Sequence, residues 1–301
     1  MRLALGLLAL CCALPAGAQS CRPVEIATLP VERAGGMIGV AGLVGRQPAL
    51  LAIDTGADRS LLDAGLATAI GLKPQRAPQP LLAGADGTVF RDFAVVQVVG
   101  FGGANQGPVR FVLAPDWHPP DHRIRGLVGM DILGTWDIEL DLAQGRMALD
   151  QPVRCPGVIP AFARPTHAVA MAPGATRVVV PVVLDGRALQ ALVDTGASRT
   201  SLPLDLADRL FGLRPGWPGV EAAGDTATPN GGRLATYRHR FHLLSLAGLR
   251  LDDVDVALID RPSDPRLGAV HDLVLGLDAL SGLKLYFANG QRRLYFASAG
   301  D

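Results

Sequence analysis

The sequence predicts a mostly β protein built as two pseudo-symmetric lobes with short helices. Three observations carry that prediction. The stretch LLAIDTGADRS (residues 50–60) returns in altered form as LQALVDTGASRT (189–200), so an apolar run ends twice in Asp-Thr-Gly. The 36 Gly and 23 Pro are spread along the chain, which favours strands and turns over a helical bundle. The segments between them have period-two or wholly apolar character, as in FAVVQVVGF (93–101) and TRVVVPVVL (176–184).

Taken in order, residues 1–18 read as a leader for export. Arg2 is followed by the apolar LALGLLALCCAL and by AGA at 16–18, which places the mature start at Gln19 in the periplasm or the medium. That apolar core of 12 residues is too short for a bilayer of ~30 Å, so no stable membrane insertion is expected after cleavage. Cys11 and Cys12 leave with the leader. The remaining two, Cys21 and Cys155, are expected to pair as a disulfide in an exported chain.

The first unit spans 19–150. It holds GRQPALLAIDTGADRSLL from Gly45, a short helix closed by Gly71-Leu72, GLVGMDIL (126–133), and a terminal hairpin (136–149) turning at Gln144-Gly145. Residues 151–165 carry four prolines without a period and read as a linker. The second unit, 166–301, repeats the plan. Asp185-Gly186 marks a hairpin before LQALVDTGASRT, Gly212-Leu213 closes a helix, and LVLGLDAL (273–280) precedes a hairpin (283–296) turning at Asn289-Gly290.

Lys plus Arg is 28 and Asp plus Glu is 28, so no net charge draws a polyanion, and no basic stripe argues for nucleic acid. His239 and His242 in HRFH sit on a strand pattern that points them to opposite faces, so no metal site is expected. Trp117 and Trp217 read as packing residues, and Asp131 and Asp278 as helix N-caps. Arg59 and Arg199 follow the two motifs equivalently, either bracing the contact between the halves or solvated.

A carboxylate at the end of a buried strand is costly unless something shares its proton. Two copies offer a solution. Asp54 and Asp194 meet on the pseudo-twofold axis. Carboxylates about 3 Å apart cannot both ionise and hold one proton between them. The ionised member can activate a water, and the protonated one can hydrogen-bond a carbonyl oxygen. The threonine hydroxyl can bond across the axis, and the glycine lets backbone approach the carboxylate.

The two Asp-Thr-Gly-Ala segments, Leu127-Val128-Gly129, Val274-Leu275-Gly276 and the Gly-Leu helix ends together resemble retropepsin-like aspartic proteases, over nearly all of residues 35–300. Each half resembles one retroviral-protease-like unit, and the chain resembles a fused, pepsin-like pair. The resemblance implies an aspartic endopeptidase that acts on peptide or protein as a monomer, with no metal and no organic cofactor. It implies Asp54 and Asp194 as catalytic residues, Thr55 and Thr195 as interlocking hydroxyls beside Gly56 and Gly196, and Gly129 and Gly276 packing behind the aspartates. It also implies a flap in each half, at 82–90 with Gly84, Asp86 and Gly87, and at 222–237 with Asp225 and Thr226. Neither tip has the tyrosine usual in pepsin-like enzymes. Asp58 in the first half is matched by Ser198 in the second, so an asymmetric cleft is expected.

Two other classes fit a pair of carboxylates. A glycosidase sets them ~5–10 Å apart, and a sugar cleft is expected to show more aromatics than the 5% here. An inactive binding or scaffold protein of the cell envelope would keep the fold without the chemistry, and activity of the purified chain separates it.

Overall fold

The computed structural model describes residues 23–84, 87–115, 118–154, 166–228, 232–261 and 271–298. Asp86, Trp117, Cys21, Cys155, the leader and most of the linker lie outside the described residues. The chain is mostly β with a two-lobed organisation, and the described residues include four short helices.

In the second lobe the sheet runs in the order Val179–Leu184, Arg187–Val193, Leu273–Leu275, Ser201–Pro203, Leu249–Ile259, Arg233–Leu246 and Glu221–Ala227. The first lobe has the same order: Met37–Val44, Gln47–Ile53, Ile124–Val128, Leu61–Asp63, Val109–Ala114, Asp92–Val96 and Gln75–Arg76. In both, the strand carrying Asp-Thr-Gly is flanked by its hairpin partner and, in parallel, by the strand preceding Gly129 or Gly276. A parallel neighbour on one side and a hairpin on the other explain why these strands read as continuous apolar runs.

The lobes are joined by a shared antiparallel sheet ordered His167–Ala170, Arg293–Ser298, Leu283–Ala288, Asp137–Asp141, Arg146–Asp150 and Glu25–Ala34. Its middle pair, with Leu140 opposite Leu285, brings the two terminal hairpins together across the pseudo-twofold. Asn289 donates to the Trp136 carbonyl at 2.6 Å, and Asp137 accepts from the N–H of Gly290 at 2.9 Å, so turns and strands of opposite lobes are also cross-tied. One buried apolar cluster runs from Ile53 and Val128 through Leu140 and Phe287 to Val193 and Leu275.

Several local readings are corrected. The terminal hairpins turn through four residues, 142–145 and 289–292, because Asp141 pairs with Arg146 and Ala288 with Arg293. In the second turn the left-handed residue is Arg292 (φ 55°). Gly290 serves a close approach instead, since a Cβ there would lie 2.8 Å from the Val153 carbonyl oxygen. FAVVQVVGF is broken into Asp92–Val96 and Val99–Phe101. Trp217 is not a packing residue: it is 53% exposed, with the Arg214 guanidinium 5.6 Å from its ring.

Candidate active site

Each Asp-Thr-Gly follows its strand as a turn. The N–H of Asp54 donates to the Val128 carbonyl at 3.0 Å, and that of Asp194 to the Leu275 carbonyl at 3.0 Å, so both motifs hang from the parallel neighbour strand. The threonines interlock across the lobes. Thr55 donates its hydroxyl to the Val193 carbonyl at 2.6 Å and its N–H to the Thr195 hydroxyl at 3.1 Å. Thr195 returns both bonds, to the Ile53 carbonyl at 2.7 Å and from its N–H to the Thr55 hydroxyl at 3.1 Å. Both side chains are fully buried, so these four bonds act without competition from water.

The carboxylates come together under this lock. Each motif glycine lies against the opposite aspartate: a Cβ on Gly56 would stand 2.3 Å from Asp194 Cγ, and one on Gly196 would stand 2.4 Å from Asp54 Cγ. Asp54 and Asp194 share a side-chain hydrogen bond. Gly56 donates its N–H to Asp54 at 2.8 Å, and Gly196 and Ala197 donate to Asp194 at 2.8 and 3.1 Å. Burial raises both carboxyls above the ordinary range. Asp54 is raised well above it, because the Asp194 charge and the shared hydrogen bond add to burial. For Asp194 the Asp54 hydrogen bond, two backbone N–H groups and the Arg177 charge oppose the burial.

Behind each aspartate the chain returns through Gly129 or Gly276. A Cβ on Gly129 would meet the Ala57 carbonyl oxygen at 2.8 Å, and one on Gly276 would meet the Arg199 carbonyl carbon at 2.3 Å. Asp131 and Asp278 are not N-caps. Gly129 and Gly276 occupy those positions, and the two carboxylates reach sideways instead. Asp131 accepts from the Ser60 hydroxyl at 2.6 Å and N–H at 2.9 Å, while the Gly129 N–H donates to the same hydroxyl at 3.0 Å. Asp278, Thr200 and Gly276 repeat this at 2.7, 2.8 and 3.2 Å. Sequence reasoning passed over Ser60 and Thr200, although each stands six places after its aspartate (60 − 54 and 200 − 194).

Residues 40–132 and 180–279 both match the model of a family described as aspartyl protease. The chain belongs to the aspartyl protease family. The two matched regions make it a tandem retropepsin-like member. Comparison with curated proteins found no match.

Around the shared centre, this aspartyl protease is asymmetric. Arg177 pairs with Asp58 at 3.4 Å, bridging the lobes. On the other side, position 198 is a serine that approaches Gly36, and it has no charge to pair. Arg59 and Arg199 are exposed, and neither forms an ion pair among the described residues. The first flap candidate is a two-stranded hairpin in which Leu82 pairs with Phe90, and Gly84 donates to the Thr88 carbonyl at 2.7 Å. Gly87 takes the left-handed conformation there (φ 83°). Leu81, Leu82 and Phe90 pack on Ala52, Ala57 and Leu127, the apolar wall beside Asp54. The second is a longer hairpin with Asp225 opposite Ala235 and Thr226 opposite Leu234, and its first strand is exposed along most of its length. Beside Asp194 the corresponding wall is smaller, formed by Val179, Leu192 and Val274 with Ala172 and Ala197. His239 and His242 are separately engaged: His239 bonds the Gly219 carbonyl at 2.7 Å, and the His242 N–H bonds Asp185 at 3.2 Å. Among the described residues no three His, Cys, Asp or Glu side chains are grouped to hold a metal ion.

Proposed function

We propose that this chain is an exported aspartic endopeptidase in which Asp54 and Asp194 share one proton and activate water against a peptide bond. The carrying observation is the pair of buried carboxyls joined by a hydrogen bond, each against the other motif's glycine. Asp194 takes a proton from water as the water oxygen bonds to the scissile carbonyl carbon. Asp54 gives its proton to the carbonyl oxygen, so no free oxyanion forms. As the C–N bond breaks, the proton on Asp194 passes to the leaving amine, and the hydroxyl proton of the intermediate returns to Asp54. The pair ends as it began.

One chain supplies both aspartates, so the site is complete in a monomer, and no cofactor enters the steps. Export rests on the leader at 1–18. The test is peptide-library cleavage by the mature chain from about pH 3 to about pH 8, beside Asp54→Asn and Asp194→Asn. Cuts that vanish in both variants support the dyad. If wild type cuts nothing, or if one variant keeps full activity, the shared-proton mechanism fails and the peptide-binding reading replaces it.

A further inference from the structure

We propose that Ser60 and Thr200, through the peptide unit and the aspartate each one bonds, are positioning residues that set where Asp54 and Asp194 meet. The role rests on the aspartic peptidase reading, which makes that pair the reacting centre. In each lobe the loop that begins at the motif aspartate is held by four consecutive residues of the returning segment. In the first lobe the Val128 carbonyl accepts from the Asp54 N–H at 3.0 Å, and the Met130 N–H donates to the Ala57 carbonyl at 2.8 Å. Between them the Gly129 N–H donates to the Ser60 hydroxyl at 3.0 Å. Asp131 then accepts from the Ser60 N–H at 2.9 Å and from its hydroxyl at 2.6 Å. The second lobe uses Leu275 to Asp278 in the same way. The Leu275 carbonyl accepts from the Asp194 N–H at 3.0 Å, and the Leu277 N–H donates to the Ala197 carbonyl at 2.8 Å. The Gly276 N–H donates to the Thr200 hydroxyl at 3.2 Å, and Asp278 accepts from the Thr200 N–H and hydroxyl at 2.8 and 2.7 Å.

Ser60 and Thr200 are both fully buried, and every polar group on each has a partner. Their carbonyls accept from the Val112 and Ala257 N–H groups at 2.9 Å each. The sense of the hydroxyl bonds is fixed as well. The Gly129 and Gly276 N–H groups can only donate, so the single hydroxyl hydrogen goes to the aspartate. A carboxylate is the stronger acceptor for it, because a charge-assisted bond is worth roughly twice a neutral one.

The link to the dyad is a single planar peptide unit. The Val128 carbonyl, which holds Asp54, and the Gly129 N–H, which holds Ser60, belong to the same peptide bond. Without the hydroxyl, that N–H is an unpaired buried donor, and such a group is costly. Any turn of the unit towards another acceptor carries the Val128 carbonyl with it and displaces Asp54. The Leu275–Gly276 unit ties Thr200 to Asp194 in the same way. There is little room to absorb a displacement, since a Cβ on Gly196 would already stand 2.4 Å from Asp54 Cγ. One lobe uses serine and the other threonine, so the position requires the hydroxyl and not a particular side-chain shape.

The test compares Ser60→Ala and Thr200→Ala with Ser60→Thr and Thr200→Ser, which keep a hydroxyl by taking the other lobe's residue. Thr68→Ala, which removes an exposed helix hydroxyl of the first lobe, is the remote control. Cleavage of a peptide library by the mature chain is read as kcat and KM, and folding by thermal melts. The dyad is read without turnover from the amide proton shifts of Gly56 and Gly196 across about pH 3 to about pH 8, because these N–H groups donate to Asp54 and Asp194. Each Ala variant should lower kcat about tenfold with KM within about twofold, and should move the glycine titration midpoint by about one pH unit. Ser60→Thr, Thr200→Ser and Thr68→Ala should keep the wild-type kcat and midpoint. Ala variants that melt lower yet keep both overturn the proposal, because the hydroxyls then serve the fold alone. So does a loss in Ser60→Thr or Thr200→Ser as large as about tenfold, an arm that decides even where an Ala variant fails to fold. If wild type cuts nothing, a midpoint that moves in the Ala variants and stays in the exchanges keeps the positioning role while the peptidase reading fails.

Discussion

Replacing Thr195 by Val keeps the side-chain shape and removes one hydroxyl. That hydroxyl donates to the Ile53 carbonyl at 2.7 Å and accepts from the Thr55 N–H at 3.1 Å, at a residue with 0% exposure. Two buried backbone groups of the first lobe thus lose their partner across the lobe contact. An unpaired buried group costs about 1–3 kcal/mol, so the pair costs about 2–6 kcal/mol. Set against a total stability of about 5–15 kcal/mol, that is a large fraction. Valine fills nearly the same volume, so little cavity cost is added. Urea unfolding should show a lower midpoint, and because the lost bonds join the lobes, a split transition is expected in place of one step. Cleavage should fall with it, since the same loop carries Asp194. Thr55→Val should behave alike, and the double variant should cost less than the sum, because the hydroxyls form one network. A variant within about 0.5 kcal/mol of wild type that also keeps full activity would refute the idea that the interlock holds the dyad together.

Other outcomes follow from the same geometry. The raised value of Asp54 means its neutral form is favoured in the fold, so its stability contribution is whole below its ordinary 3.8 and is lost as pH rises through the raised value; Asp54→Asn should therefore melt above wild type at neutral pH and close to it near pH 4, checked by paired thermal melts. Gly196→Ala would drive a methyl to 2.4 Å from Asp54 Cγ and should abolish cleavage while lowering the melting temperature, as read by the two assays together. Arg177→Met removes an ion pair that is partly exposed, so stability should drop by no more than about 1 kcal/mol; because the Arg177 charge lowers Asp194, the acid limb of the pH–rate profile should move to higher pH. Glu25 pairs with Asp150, and Cys21 and Cys155 stand only four and five residues from them in sequence, so non-reducing peptide mapping should find the two linked; in the chain-entropy model, closing so long a loop stabilises by about 5 kcal/mol.

Much of the centre was legible because duplication repeats local signals. Asp-Thr-Gly after an apolar run, and an apolar pair before Gly, are contiguous in sequence and mean the same thing twice. The helix ends at Gly71 and Gly212 were readable for a similar reason: both take the left-handed conformation (φ 74° and 70°) that a glycine signals. What escaped was non-local. Asp131 looks like a cap by its neighbours, yet its partner is Ser60, 71 residues earlier. Arg177 and Asp58 meet only because the lobes dock. The turn at Asn289-Gly290 was misread because the Gly is used for a close approach to Val153, while the left-handed turn residue is Arg292.

The pattern of what the halves share and where they differ has a physical reason. A proton held between two carboxyls needs equivalent support from both sides, and the supports are duplicated: Thr55 with Thr195, Gly56 with Gly196, and Ser60–Asp131 with Thr200–Asp278. A peptide has a direction and no twofold axis, so the walls that meet it have no need to match. In a homodimer every substitution appears twice and each wall is bound to its copy. Fusion into one chain lifts that bond. Here the first wall is apolar and covered by the short hairpin at Leu82 and Phe90, while the second is smaller and formed by Val179, Leu192 and Val274. The symmetry of the dyad and the asymmetry of the walls are therefore two consequences of one arrangement: a twofold reaction centre acting on a one-directional chain.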